Sequence, residues 1–452
     1  MGVITLQQAA QWCGGSIDPK YKDVPFLGAC NDTRKLEKGQ LFIALKGVRD
    51  GHEFIPAALE KGAAAVLCTH CDGDYPAVVV EDTRIALGQI ARGERERIGM
   101  KVVGVTGSVG KSTTKEMIAA VLQTTYRVAK TPANHNNDIG MPMAILSMAS
   151  DTQIGVLEMG MNHFREIAYL SSIGKPDLAV IINVGTMHIE HLGSREGILQ
   201  AKLEILEGMG ADGKLFLNGD NDLLQNCRPE VQTAFFGVQN ADCQVCAEQV
   251  VQKDGMLSFT AVTPAGTFPV EMELEGEHYI VDALAAVSVG LQMGVTCENI
   301  QKGLASFRNM EGRQEIYQKD GYTIIQDCYN AGPESMAAAL GVLGNKAGRH
   351  VAVLGDMLEL GDHAPEAHKK VGMIAAQKAD ILLSYGTNSA YMQEGARLVG
   401  MEQAYAFTDQ AQLVDLLKQI AKPGDVILFK GSRGMRMELA LEQFLTKAEE
   451  RL

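Results

Sequence analysis

Short apolar runs, each bounded by polar or glycine-rich turns, recur along the whole chain, and most are too short to be helices. Gln40-Leu-Phe-Ile-Ala-Leu45, Ala64 to Cys68 and Ala77 to Val80 read as strands, with a helix expected from Phe54 to Lys61. The charged stretch Arg92-Gly-Glu-Arg-Glu-Arg97 closes a further helix, which predicts a boundary near Met100. A second segment opens on the apolar strand Val102-Val-Gly-Val-Thr106 and passes through a glycine-containing turn into a helix from Lys111 to about Gln123. Strands follow at Ile154 to Glu158, Leu178 to Val184 and Lys214 to Leu217, with a helix from about Gly197 to Met209. Strands alternating with helices of this length imply a doubly wound, mostly parallel sheet. Between Cys243 and Glu273 the pattern turns to short alternating strands, an expected antiparallel extension. A third layer is predicted from strands at Thr323 to Asp327, His350 to Leu354, Asp380 to Ser384 and Asp425 to Phe429.

The expected fold is therefore α/β in three domains. These are a small mixed α/β domain at 1–98, a central P-loop domain at 99–312 and a Rossmann-like domain at 313–452. A length of 452 residues agrees with three domains of about 150 each. A 46% hydrophobic and 21% charged composition excludes disorder or a fibrous repeat as the main theme. With 41 basic against 55 acidic side chains, the net charge of −14 argues against nucleic acid or an anionic membrane as partner. Runs such as Leu178-Ala-Val-Ile-Ile182 are too short to span a bilayer, and the first residues lack a signal-peptide pattern. A cytoplasmic monomer is expected. Nine scattered cysteines read as free thiols, and the pairs Cys68–Cys71 and Cys243–Cys246 as incidental spacing without metal or redox chemistry.

The sharpest chemical signal is Gly104-Val-Thr-Gly-Ser-Val-Gly-Lys-Ser-Thr113, set between a buried strand and a helix. Backbone N–H groups of Gly107, Ser108, Val109 and Gly110, with the helix N-terminus at Lys111, Ser112 and Thr113, suit phosphate oxygens. Lys111 would neutralise the β/γ-phosphates and Ser112 would offer its hydroxyl to Mg²⁺. The strict phosphate-loop spacing is not met, because Val105 stands where its first glycine belongs. Glu158 ends a strand and should project from the same sheet edge, where it could hold Mg²⁺. In Asn183-Val-Gly-Thr-Met-His188-Ile-Glu-His191, either histidine could ligate a metal, and spacing does not choose between them. Lys202 sits among apolar neighbours on the following helix, where a solvated lysine is the ordinary reading.

Further runs carry a resemblance over essentially the whole chain. They are Asp32-Thr-Arg34, Leu41 to Gly47, Asp50-Gly-His52, Thr106 to Lys115, Asn136-Asn-Asp-Ile-Gly-Met-Pro142, Glu158-Met-Gly160, Gly312-Arg313, Asp327-Cys-Tyr-Asn-Ala-Gly-Pro-Glu-Ser-Met336, Gly355-Asp-Met-Leu-Glu-Leu-Gly361 and Lys430-Gly-Ser-Arg433. With these the chain resembles the ATP-dependent Mur ligases of peptidoglycan synthesis. The runs from Asp327 and Gly355 resemble those of the member that adds D-alanyl-D-alanine to UDP-N-acetylmuramoyl-tripeptide. A sibling adding a diamino acid at the dipeptide stage is the alternative, and whether the third substrate residue is lysine or diaminopimelate stays open.

The resemblance implies that Thr33 and Arg34 contact the UDP end of the substrate, and that Asn136 and Asn137 lie on its path. It implies ATP contacts from the loop and from Arg313 (γ-phosphate), Asp327 (ribose), Tyr329 and Asn330. His188 becomes a metal ligand beside Ser112 and Glu158. Lys202 becomes a lysine carbamylated by CO₂ that supports a second Mg²⁺, and Lys111, His188 and Lys202 become catalytic. The chain departs from the family at Tyr279 and Asp282, where asparagines beside the adenine are usual, and at Gly332.

Overall fold

Each short apolar strand can bury both faces only if helices cover the sheet on both sides, and the chain builds three larger sheets of this kind beside the small antiparallel pair Ile4–Thr5 and Pro25–Phe26. The structure, a computed structural model, describes residues 2–446. The first sheet has four parallel strands in sequence order: Ala29–Cys30, Leu41–Ile43, Ala65–Cys68 and Ala77–Val79. Its long helix Thr83–Ile98 starts where Asp82 accepts from the Arg84 and Ile85 amides and stops at Gly99, which takes φ 70°. Trp12 packs so closely on this helix that a Cβ at Gly93 would lie 2.2 Å from the indole ring.

The central sheet has nine strands. Val128–Lys130, Ile154–Glu158, Lys101–Thr106, Leu178–Ile181, Lys214–Asn218, Gln232–Gly237 and Val245–Lys253 lie side by side and parallel. Met256–Thr263 and Gly266–Met272 then extend it antiparallel, as the alternating pattern predicts. Strand Lys101–Thr106 pairs with Ile154–Glu158 on one side and Leu178–Ile181 on the other. The chain thus runs to both sides of one strand, and such a reversal opens a crevice at the carboxyl ends. The strand expected from Leu178 to Val184 ends at Ile181 because the following residues turn to brace that crevice. The helix expected to reach Met209 is α-helical only over Arg195–Leu203 and tightens to a 3₁₀ turn over Glu204–Gly208. There the buried Glu204 carboxylate accepts from the Arg165 and Ala168 amides at the start of helix Glu166–Gly174.

The third sheet runs in the order Glu315–Lys319, Tyr322–Asp327, Val426–Lys430, His350–Gly355, Ile381–Tyr385, Ala404–Phe407, parallel except for the first pair. All nine cysteines are free, and the two closely spaced pairs belong to different sheets. Among the described residues no helix is long and apolar enough to cross a membrane.

The helix Lys111–Gln123 is seated by glycines on two neighbours. A Cβ at Gly303, on helix Cys297–Ser306, would lie 2.5 Å from the Val121 backbone, and one at Gly290, on helix His278–Gln292, 2.7 Å from the Val121 side chain. Gly303→Ala must therefore push this helix off the sheet. We expect it to lower stability by roughly 1–3 kcal/mol in denaturant unfolding. A midpoint equal to the parent's would mean the helices separate freely.

Candidate active site

A glycine-rich loop has few side chains with which to hold its own shape, so its neighbours must fix it. Asn183 does this: its Oδ1 accepts from the Ser108 and Val109 amides at 2.9 and 3.0 Å, and its Nδ2 donates to the Val109 carbonyl. Gly185 N–H adds a bond to Ser108 Oγ at 3.0 Å. Gly110 takes φ 84°, and a Cβ there would lie 2.9 Å from Asp282 Oδ1. Glycine is required at that position both for conformation and for space. Val105 lies buried within the strand, so the loop proper begins at Gly107. Lys111 Nζ donates to the Gly107 and Ser108 carbonyls at 2.8 and 3.2 Å. Desolvation holds this ammonium below its usual range, with the Glu158 charge opposing and Arg313 reinforcing the shift.

The loop opens into a cavity of about 920 Å³ lined by residues from all three sheets' domains. Of the residues named from sequence, Ser108 to Thr113, Asn136, Asn137, Glu158, His188, Arg313, Asp327, Tyr329 and Asn330 line it. Gly107 lies just beneath, against Ile182. Arg313 crosses from the third domain to donate to Ser112 Oγ at 3.1 Å, with its guanidinium 4.0 Å above the Tyr329 ring. Asp327 pairs with the buried Lys430 at 2.5 Å, and Lys430 also donates to the Asn330 carbonyl. Asn136 Nδ2 donates to Glu158 Oε1 at 2.9 Å, whereas Asn137 Oδ1 caps helix Gly140–Leu146 at Gly140 N–H.

Thr33 and Arg34 are not in this cavity. Arg34 is exposed and paired with Asp32, and the flanking Asp32 and Lys35 line a second cavity of about 770 Å³ between the first and central domains. The first domain reaches the main cavity through Arg84 instead, a residue without any motif to announce it. His188 and His191 are now distinguishable: only His188 lines the main cavity. It takes φ 63°, and its Nδ1 lies 2.6 Å from Glu359 Oε2 of the third domain, a contact that holds the Glu359 carboxyl below its usual range.

Among the described residues no three His, Cys, Asp or Glu side chains gather to hold a metal by themselves. The mixed set of the Ser112 hydroxyl, the Glu158 carboxylate and the His188 ring still fits a hard divalent cation, because Glu158 Oε2 is buried without a hydrogen bond among the described residues. Lys202 is 1% exposed, not the solvated side chain that its helix position alone would give. Burial first, and the Lys111 charge second, hold its amine well below the usual lysine range.

Fold and site together define an ATP-dependent ligase built from three α/β domains around one cleft. The chain belongs to the Mur ligase family. Residues 105–290 match the Mur ligase middle domain, 312–433 the Mur ligase glutamate ligase domain, and 27–95 the Mur ligase family catalytic domain. The chain is 42% identical to the UDP-N-acetylmuramoyl-tripeptide–D-alanyl-D-alanine ligase of Bacillus subtilis, over 96% of each. It superposes on a crystal structure of MurF from Acinetobacter baumannii with a TM-score of 0.91 at 33% identity, covering 99% of this chain and 100% of that one. With a MurF ligase from Thermotoga maritima in complex with ADP the TM-score is 0.82 at 30% identity, covering 94% and 99%.

Asp282 gives this site a pH signature. Burial raises its carboxyl to about 7, against the opposing Thr114 hydrogen bond and Arg313 charge. The folded chain holds this proton more tightly than the unfolded chain, so the contribution is full below the unfolded value of 3.8 and is lost as the pH rises to about 7. Asp282→Asn should flatten the loss of stability across that window by a few kcal/mol, on the order of 1.4 per pH unit. Parallel stability profiles for the two proteins would mean that Asp282 ionises normally.

Proposed function

We propose that this chain joins D-alanyl-D-alanine to the terminal carboxylate of a UDP-N-acetylmuramoyl-tripeptide, with ATP converted to ADP and phosphate, in peptidoglycan precursor synthesis. The observation that carries this reading is 42% identity over 96% of a ligase of that name, with the phosphate loop and its surrounding charges intact. In it, residues 1–98 bind the UDP end through Thr33 and Arg34, residues 99–312 bind ATP, and residues 313–452 close over ATP and receive the dipeptide. Asn136 and Asn137 lie along the substrate path, and Arg313, Asp327, Tyr329 and Asn330 complete the nucleotide site.

Amide formation from a carboxylate and an ammonium is uphill in water, and an acyl phosphate solves this by supplying a good leaving group. The tripeptide carboxylate attacks the γ-phosphorus in line, and ADP leaves. Lys111, the loop N–H groups and Arg313 spread the charge that develops on the transferred oxygens. The dipeptide amine then attacks the acyl carbon, and phosphate departs. Ser112, Glu158, His188 and a carbamate on Lys202 would hold two Mg²⁺ ions, which when bound neutralise phosphate charge. The Lys202 amine suits that modification, since only the neutral form captures CO₂, and burial favours the neutral form. A monomer acting in the cytoplasm accords with this reading.

ADP release should require both UDP-tripeptide and D-alanyl-D-alanine. Release with UDP-dipeptide and a diamino acid instead would assign the sibling reaction, and release without any amine would assign a nucleotide switch. Lys111→Ala should lower the rate by two to three decades, about 3–4 kcal/mol, while UDP-tripeptide still binds by calorimetry. Joint loss of binding and turnover would contradict separate sites. Lys202→Ala should be nearly inactive and partly rescued by short carboxylic acids, and bicarbonate depletion should lower parental activity reversibly. Full activity of Lys202→Ala without added acid would remove the carbamate from the scheme.

A further inference from the structure

Glu334 stands at N2 of helix Pro333–Gly344 in the third domain and reaches across to the central one. Its Oε1 accepts from the Thr186 amide at 3.0 Å and from Thr186 Oγ1 at 3.1 Å. Only glycine at 185 permits this approach, because a Cβ there would lie 2.6 Å from Oε1. Gly185 is itself bonded to Ser108 of the phosphate loop, so the carboxylate is fixed at the phosphate end of the main cavity, which it lines. Its other oxygen, Oε2, is buried and has no hydrogen-bond partner among the described residues. A buried carboxylate oxygen left unpaired is costly, and a cationic donor compensates it best. Arg195, the cation whose charge is felt nearby, is already engaged by Asp222 and the Val184 carbonyl.

We infer that Glu334 receives the α-ammonium of the incoming dipeptide and takes its first proton, an assignment that rests on the function proposed above. ATP brings phosphates and the UDP-linked substrate brings its reacting carboxylate, which this oxygen repels. The tripeptide's third residue also carries an ammonium, on its side chain, but the dipeptide's ammonium is the one that must come to the phosphate end to attack the acyl carbon. One of the three N–H protons passes to Glu334 Oε2, which frees the nitrogen lone pair. The C–N bond forms, the acyl C–O bond breaks, and a second proton leaves with the phosphate. The third proton remains on the new amide. Oε1, held by Thr186, fixes the carboxylate of this cavity-lining residue during the exchange.

The test compares two nucleophiles on the same acyl phosphate. Hydroxylamine is already neutral at neutral pH and needs no base, so hydroxamate formation reports the first half-reaction alone. Glu334→Gln keeps an acceptor for Thr186 but loses the charge. It should raise the KM for D-alanyl-D-alanine and lower the ratio of dipeptide to hydroxylamine turnover by about 100-fold. Glu334→Asp, which keeps the charge, should recover part of that ratio. If both rates fall together in Glu334→Gln, or the ratio is unchanged in that variant, or Glu334→Asp recovers none of it, Glu334 is only an interdomain clamp and the inference fails. Parent enzyme that makes hydroxamate but no dipeptide product would instead overturn the proposed function itself.

Discussion

The loop from Asn183 to His188 has to satisfy two partners at once, and the arrangement of the site follows from that. On one side it supplies the side chain and the backbone bonds that give the phosphate loop its curvature. On the other it is the surface on which the third domain lands, at Thr186 through Glu334 and at His188 through Glu359. A shift of the third domain is therefore felt at the phosphate loop through very few bonds. Arg313 adds a direct link to Ser112, so docking and phosphate-loop geometry are two views of one set of contacts.

The site also gathers buried charge at a density that a stable core avoids. Lys115, Lys202, Glu158 and Asp282 all lie within the central domain with little or no solvent contact. Lys115 donates to the Thr131 carbonyl and lies 3.6 Å from Glu158, which offsets part of the cost for both. Among the described residues Lys202 has no such carboxylate, and Glu158 keeps one oxygen unpaired. Groups left incompletely satisfied in this way are concentrated where ligands complete them. Close helix packing around Gly303 and Gly290 supplies the rigidity against which these charges are held.

Much of this was legible in the sequence because it is local. A strand, a glycine-rich turn and a helix in succession announce the phosphate loop, and alternation of apolar runs announces the parallel sheets. Glu334 and Glu359 lie inside runs that stand out in the sequence, yet nothing local tells which residue of another domain each will face. Asn183 and Arg84 carry no spacing signal, since their roles depend on strands that meet only in the folded sheet. Lys202 was ambiguous for the same reason: its helix neighbours are known from sequence, but the covering surface that buries it is not. The early end of strand Leu178–Ile181 likewise follows from the demand of the adjoining loop rather than from any breaker in the apolar run.

Trp12, the single tryptophan of the chain, is wedged against Gly93 on the helix that joins the first domain to the central one. That helix is anchored by Arg95 to the carbonyls of Gly174 and Lys175. Tryptophan fluorescence, excited at wavelengths that the eleven tyrosines do not absorb, is thereby confined to one seam of the molecule. It is sensitive to solvent entering between the first domain and its linking helix and blind to movements of the third domain. A tryptophan probe of closure over the nucleotide must be introduced from outside, whereas the native indole already provides a gauge of the opposite joint.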